Sequence, residues 1–442
     1  MKTLWPALVA TFFLLLANAA PAQEQQPQRL TLAEAVQLAL SKNPDLATAQ
    51  QRVNAARAAL QQADATFWPH LRVSESYVGS DNPVQAFMMT LNQRAFSLNN
   101  DFNHPETTDN LGTKVLAQWS LYDGGQNIAN RQAARLSSEA AEQSLDAARN
   151  DLVFEVTRAY YTVSKARQFV GAANAAVSSV EADVSVASNR VAAGEALKTD
   201  LLDAQVRLAE SRENQVRARS AAALSDSIFR NVLGVDQTNN VTAAEVAFVE
   251  SASSVTESLD VSHRPELRAA RKAVDAAEKQ VRAAFGGHLP RVNAFASYDL
   301  DSGNAQQFED SWIAGVSVDL DVFDGFLTRG KVAEARANLD ASRDRLRKTE
   351  LMLALEVKQA RLNVDDARAR LDASTQTVAQ AGESLQLTKD RYGEGLALFT
   401  QVLDTETALT AARQRRAAAE ADYLIARAAL DKALGNPWKD QP

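Results

Sequence analysis

The 442-residue sequence predicts a mainly α chain in which long antiparallel coiled-coil helices are interrupted by four β-strands suited to a membrane. Three observations carry this reading. Apolar or small residues recur at alternating steps of three and four from Val156 to Val191, and again from Val357 to Tyr392. Four stretches alternate apolar and polar residues with period two. The punctuation between these patterns occurs twice, in the same order.

The duplication sets the organisation. KNPDL (Lys42–Leu46) matches HRPEL (His263–Leu267), with Pro44 and Pro265 221 positions apart, and Pro69 and Pro290 keep that offset. Beyond them Asp123 and Asp324, Gly194 and Gly395, Asp203 and Asp404, and Leu233-Gly234 and Leu434-Gly435 are 201 apart. The first half therefore carries 20 extra residues, which fall in the polar, Asn-rich stretch Ser80–Glu106, read as a loop. The expected division is a signal peptide at 1–22, a first repeat at 23–234, an equatorial connector at 235–262, a second repeat at 263–435 and a tail at 436–442. Each repeat holds a strand pair (near 70–122 and 291–323) and a long coiled coil (125–234 and 326–434).

In chain order, residues 1–22 come first. Lys2 is the positive start, Ala7–Ala17 the apolar core and Ala20-Pro21-Ala22 the small-residue cleavage site of a secretory signal. As a bilayer anchor the run is short of the roughly 20 apolar residues a span needs. The chain has no Cys, hence neither a disulfide framework nor a thiol for lipid attachment. Without Lys2 the net charge moves from −8 to −9. An acidic chain is a poor nucleic-acid binder, since phosphates call for a basic surface.

The strands follow. Trp312–Val322 puts Trp312, Ala314, Val316, Val318, Leu320 and Val322 on one face, against Gly315, Ser317, Asp319 and Asp321. Leu111–Leu121 opposes Leu111, Val115, Ala117, Trp119 and Leu121 to Gly112, Lys114, Gln118 and Ser120. Their partners are Leu71–Val78 and Val292–Leu300. Period-two alternation marks a strand with one apolar face. About 9–11 residues suit a tilted strand crossing a bilayer. A soluble sheet on a core is the alternative, but four strands make little of a core in a chain this long.

Pro69 and Pro290 are expected to end a helix and begin a strand, because Pro cannot donate the helical bond and pushes its predecessor to extended geometry. Asp123 and Asp324 reverse the change. A carboxylate there can accept the free N–H groups of the first helical turn, and Gly124 and Gly325 permit the sharp turn. The seam from Val156 is that of a coiled coil. Gly125 to Gly194 spans roughly 100 Å as helix, Asp200–Leu233 about 50 Å and Pro44–Phe67 about 35 Å. Two shorter helices stacked end to end thus nearly match one long one. Val235–Val261 falls at mid-height, with LTLAEAVQLALS beside it as a short lateral helix.

No nucleophile motif appears. His70, His104, His263 and His288 are scattered, without metal-ligand spacing. No enzyme, metal or cofactor is expected.

Over essentially the whole mature chain, the sequence resembles the TolC-like outer-membrane efflux proteins, also called outer membrane factors. The resemblance rests on LTLAEAVQLALSKNPDL, the two-half layout, WPHL and LPRV, LYDGG and VFDGF, and DYLIARAALDKALG near the end. It implies a homotrimer in the Gram-negative outer membrane, with a twelve-stranded barrel and an α-helical tunnel through the periplasm. It also implies a periplasmic adaptor and an inner-membrane pump as partners, in drug or metal-ion efflux or type I protein secretion. The rival reading is a periplasmic coiled-coil scaffold or adaptor without a pore. Barrel closure would turn Trp119, Val316, Val318 and Leu320 to lipid and Lys114, Gln118, Asp319 and Asp321 to the channel.

The resemblance also assigns the far end, at the turns in Ala192–Gln205 and Tyr392–Glu406. Gly194 and Gly395 end helices there and mark the adaptor contact, and Thr199 and Asp200 cap or rim the next helix. In the family a Tyr and an Arg of the second turn bond a Thr/Asp site of the first, and Asp residues ring the aperture. Tyr392, Thr199, Asp200 and Asp404 occupy the matching positions. Ala397 replaces that Arg and Gln401 a second ring Asp. Rings of Asp200 or Asp404 would favour cations.

Overall fold

The computed structural model describes residues 28–101, 103–245 and 261–435. The expected signal peptide, residues 246–260 of the connector and the tail lie outside the described residues. In chain order the elements are β1 (Gln28–Leu30), α1 (Leu32–Lys42), α2 (Pro44–Ala65), β2 (His70–Ser80), α3 (Pro83–Asn92), β3 (Thr108–Asp123), α4 (Gln126–Ala192), α5 (Lys198–Leu233) and β4 (Val241–Ala243). They continue with α6 (Pro265–Phe285), β5 (Arg291–Ser302), β6 (Glu309–Asp319), α7 (Leu327–Gly393) and α8 (Phe399–Ala433).

The long helices α4 and α7 have 67 residues each, about 100 Å of rod. Shorter helices stack beside them: α2 and α5, of 22 and 36 residues, along α4, and α6 and α8, of 21 and 35, along α7. The seam is small and apolar, so the backbones approach closely. Val156, Ala159, Val163, Ala173, Val177, Val180 and Ala187 of α4 are buried, as are Val357, Ala360 and Ala367 of α7.

The stacking joints explain the KNPDL and HRPEL motifs. Asn43 caps α2, its Oδ1 accepting the N–H groups of Asp45 and Leu46 at 2.8 and 3.3 Å. Its Nδ2 donates at 2.8 Å to the carbonyl of Val232, in the last turn of α5. One side chain thus satisfies donors at one helix start and an acceptor at another helix end. At the second joint Arg264 replaces Asn. Its buried guanidinium donates to the carbonyls of Lys432 and Ala433 at 3.1 and 2.9 Å, and pairs with Glu266 and Glu356 at 2.8 and 3.1 Å.

Midway along α4, α1 packs against the bundle, started by a reciprocal cap in which Glu34 takes the N–H of Thr31 and Thr31 that of Glu34. Val36, Val156, Tyr160, Val163, Phe229, Leu233 and Ala243 form one core there. The connector takes part through β4, which pairs in parallel with β1, Gln28 opposite Val241. Arg167 holds it by donating to Ala243, Thr242 and Asp226. This small sheet is absent from the sequence reading, since three-residue strands show no period.

The other four strands form one antiparallel sheet in the order β2-β3-β5-β6. In the single chain it is open, not a closed barrel. β6 ends at Asp319, so Leu320–Val322 extend past it. Pro69 and Pro290 directly precede β2 and β5, but they do not stop the helices. α2 already ends at Ala65, with Phe67 and Trp68 in a turn, and α6 ends at Phe285, followed by a 3-10 turn over Gly286–His288. The stretch read as a polar loop, Ser80–Glu106, contains α3.

Replacing Arg264 with Ala removes the donor to the Lys432 and Ala433 carbonyls and the partner of Glu266 at the joint, at a cost of about 2–3 kcal/mol. Asn43→Ala costs about 1 kcal/mol. Thermal unfolding in detergent should show both drops, the larger for Arg264. A loss for R264A no greater than for the exposed Arg149→Ala contradicts the role of the joint.

Candidate functional site

Two regions stand out, the sheet at one end of the rods and the helical turns at the other. The sheet is built inside out for water. Register aligns Leu71, Val73 and Tyr77 of β2 with Ala117, Val115 and Leu111 of β3. It then aligns Ala117 with Ala296, and Val292, Ala294, Ala296 and Tyr298 with Val318, Val316, Ala314 and Trp312. This apolar face is open, with Trp312 75% and Val316 64% exposed. The opposite face carries Ser74, Ser76, Lys114, Gln118, Asn293, Ser297, Asp299, Asp301, Ser317 and Asp319, and its Ser297 and Asp301 are only 5% and 8% exposed. Lys114 pairs with Asp299 at 3.3 Å along it. A sheet that gathers its polar residues on one face and offers a continuous apolar one on the other suits a hydrocarbon surround.

Aromatic residues bound that face. Phe67, Trp68, Phe323 and Phe326 are exposed at the strand–helix junctions, and Tyr77, Tyr298 and Trp312 toward the far end. The nine steps from Trp68 to Tyr77 cover roughly 30 Å along the strand. A tilt near 40° leaves roughly 23 Å of height, close to the ~25 Å apolar band between aromatic girdles. None of the described helices is long and apolar enough to cross a membrane.

The junctions have the anticipated chemistry. Asp123 accepts the N–H of Asn127 at 2.7 Å, and Asp324 that of Thr328 at 2.8 Å. Gly124 has φ +70°, and a Cβ there would lie 2.2 Å from the carbonyl oxygen of Gly286. Gly325 has φ +67°. The next position is Gly125 in the first half but Phe326 in the second, left-handed at φ 70° with its ring against Phe323.

At the far end, Gly194 and Gly395 both have φ +77°. Glu195 and Leu396 each donate to a carbonyl five residues back, Arg190 and Arg391, at 2.8 Å, closing both helices in the same way. Thr199 and Asp200 do not cap α5. The cap residue is Leu197, without a side-chain bond, and Thr199 and Asp200 lie inside the first turn. Gln401 Oε1 accepts the N–H of Leu398 at 3.2 Å, capping the start of its own helix. Asp404 is exposed on α8, and neither its carboxylate nor that of Asp200 takes a partner within the chain among the described residues.

Within the chain Tyr392 meets neither Thr199 nor Asp200. Its ring lies 4.8 Å under the Arg190 guanidinium and 5.4 Å from Phe399, and Arg190 also donates to its carbonyl at 3.2 Å. Its buried hydroxyl finds no partner among the described residues. Ala187, Ala204, Phe399 and Leu403 close the small core around it. The first helical hairpin thus holds the second by a cation over a ring, worth about 0.5–2 kcal/mol.

A second staple between the hairpins escaped the sequence reading. Lys389 of α7 reaches Glu406 of α8 at 2.6 Å, Asp183 of α4 at 3.4 Å and Ser179 at 3.2 Å, and Ser179 donates to Glu406. Two carboxylates share one ammonium in a largely buried place, with Asp183 Oδ2 and Glu406 Oε2 finding no hydrogen-bond partner among the described residues. Burial, and then the neighbouring Glu406, push the Asp183 carboxyl up to about 6. The signal was a charge inside a seam: Glu406 stands among Val402, Leu403 and Leu409, where apolar residues recur.

Comparison with known proteins gives these features a context. The model of the family described as outer membrane efflux protein matches residues 35–235 and 259–436. The protein CyaE of Bordetella pertussis is 27% identical over 395 residues, 87% of this chain and 80% of that protein. Outer membrane protein TolC of Escherichia coli is 23% identical, over 92% of this chain and 83% of its own length. Among solved structures, the Campylobacter jejuni CmeC outer membrane channel superimposes with a TM-score of 0.83 at 16% identity, covering 93% of this chain and 87% of that one. The outer membrane protein VceC of Vibrio cholerae gives 0.79 at 21% identity, covering 91% and 96%.

The staple sets a pH dependence. The folded pKa of Asp183 lies above its usual 3.8, so its stabilising contribution is full below pH 3.8 and is lost as pH rises through about 6. Asp183→Asn should raise thermal stability at neutral pH and flatten its change between pH 4 and 7. An unchanged pH profile for D183N contradicts the raised Asp183 pKa as the source of the pH dependence.

Proposed function

Since the chain belongs to the outer membrane efflux protein family, we propose that three copies close into one passive conduit across the outer membrane and the periplasm. The observation that carries this is the open sheet with its apolar face outward and two unpaired edges, β2 and β6. Backbone groups left unpaired in hydrocarbon cost several kcal/mol each, so such an edge must be closed. Four strands cannot close alone. Two copies give eight strands, whose interior side chains fill. Three give twelve and leave a lumen lined by Lys114, Gln118 and Asp319.

The helices support the same assembly. On α5, Leu202, Val206, Val216, Leu224 and Ile228 are exposed, and on α7 so are Leu351, Leu355 and Leu362. These are unpartnered stripes that neighbouring copies would cover. Three α4–α5 and three α7–α8 pairs would then enclose a tunnel.

The turns at Gly194 and Gly395 form the docking end for a periplasmic adaptor, and through it an inner-membrane pump that supplies the cargo. Leu197, Leu396 and Leu398 stand exposed beside them, as apolar anchors for a partner. Thr199, Asp200, Tyr392, Gln401 and Asp404 form the aperture. Rings of three Asp200 and three Asp404 concentrate cations, and the Arg190–Tyr392 contact holds the second hairpin to the first.

Purified in detergent, the protein should have the mass of a trimer and give small, cation-preferring steps in a planar bilayer. Asp404→Ala should weaken that preference without changing the mass. A water-soluble monomer without conductance contradicts the conduit, and unchanged selectivity in D404A removes Asp404 from the aperture.

A further inference from the structure

The 20 residues by which the first half exceeds the second hold α3. Asn82 starts this helix by accepting the N–H groups of Val84 and Gln85 at 3.0 and 3.2 Å. Its end is tied to the sheet at two places. Gln93 donates to the Asp109 carbonyl at 2.7 Å and to Asn110 at 2.8 Å, and Asn110 donates to Asp301 at 2.6 Å. Arg94 pairs with Glu309 at 3.0 Å and Asp310 at 3.5 Å on β6.

These anchors show which side of the sheet α3 occupies. Asp301 stands opposite Gly112, in the row of Lys114 and Gln118, and Asn110 belongs to that row. It is the polar face. The helix therefore lies on the polar side of the sheet, at the end away from the long helices, bridging β3 and β6 across the β5–β6 turn. A Cβ on Gly303 in that turn would lie 2.6 Å from Gln93 Oε1, so the approach is close.

Its two sides differ. Ala86, Thr90 and Gln93 share one side at 100° per residue, with Ala86 1% exposed. Val84, Met88 and Leu91 share the other, and Val84 and Met88 are 72% and 52% exposed. In the closed trimer proposed above, that apolar stripe falls on the lumen side, turned away from lipid. A twelve-stranded barrel has a wall roughly 12 Å from its axis, and a helix with side chains is about 10 Å across. A helix seated on the wall thus reaches the axis, where it meets its own copies.

We propose that α3 is an outer gate: the Val84, Met88 and Leu91 faces of three copies pack on one another at the threefold axis and close the distal mouth. The occupant of the stripe is the same helix of the other two copies, so the inference rests on the trimeric reading above. Arg94 is the clamp that holds each helix in place.

Because the chain contains no Cys, Met88→Cys in the full-length detergent-purified protein tests this directly. The expected result is a dimer-mass band on a non-reducing gel after mild oxidation, absent from the outer-face control Val73→Cys. Met88→Glu, which puts three carboxylates at the axis, should raise single-channel conductance at least twofold. A particle of trimer mass with no cross-link and unchanged conductance overturns the gate and leaves the conduit standing. A particle that is not a trimer overturns both. A fluorophore on the M88C thiol that a lipid-borne nitroxide quenches places the stripe in the membrane and overturns the gate.

Discussion

The constraint on which the rest depends is the backbone ladder of the four-stranded sheet. Its two inner strands are paired on both sides, and its two outer strands on one. Its apolar face is open, so the medium it suits is one that offers no hydrogen bonds to the free edges. With this go the length of the strands, the aromatic residues at both ends of the apolar band, and the closure by further copies proposed above. It also explains the abrupt junctions. Here a strand becomes a helix within a few residues, and Asp123 with Gly124, or Asp324 with Gly325, makes that change by supplying an acceptor and a left-handed turn.

The helical part solves a different problem. A 67-residue helix cannot be matched by a single shorter partner, so two partners meet end to end, and each meeting exposes a helix start to a helix end. Asn43 solves this with one neutral side chain that is both acceptor and donor. Arg264 solves it with a buried cation and two carboxylates. The two halves share a backbone plan and use different chemistry at the same position. The same holds at the next junction, where Gly125 is matched by the strained Phe326.

Much of this was legible from period and punctuation. Strands with one apolar face and a long heptad seam are local patterns, and β3, β6, α4 and α7 follow them to within a few residues. What escaped was set by contacts between distant parts. Asn43 meets Val232 across 189 positions, Arg190 meets Tyr392 across 202, and Ser179 meets Glu406 across 227. No window of sequence contains such pairs. The helix α3 was missed for another reason. Its Asn-Pro start and apolar spacing were present, but the Asn-rich residues around it masked them as loop.

The measurement that tests the account most directly asks which medium each face of β6 touches. The Cys-free chain allows one thiol at Val316 and another at Ser317, neighbours that point to opposite sides. With a fluorophore on each in reconstituted vesicles, the account predicts that a lipid-borne nitroxide quenches position 316 and that aqueous iodide quenches position 317. Iodide quenching at both, or the reverse assignment, would contradict a sheet that turns its apolar face to lipid.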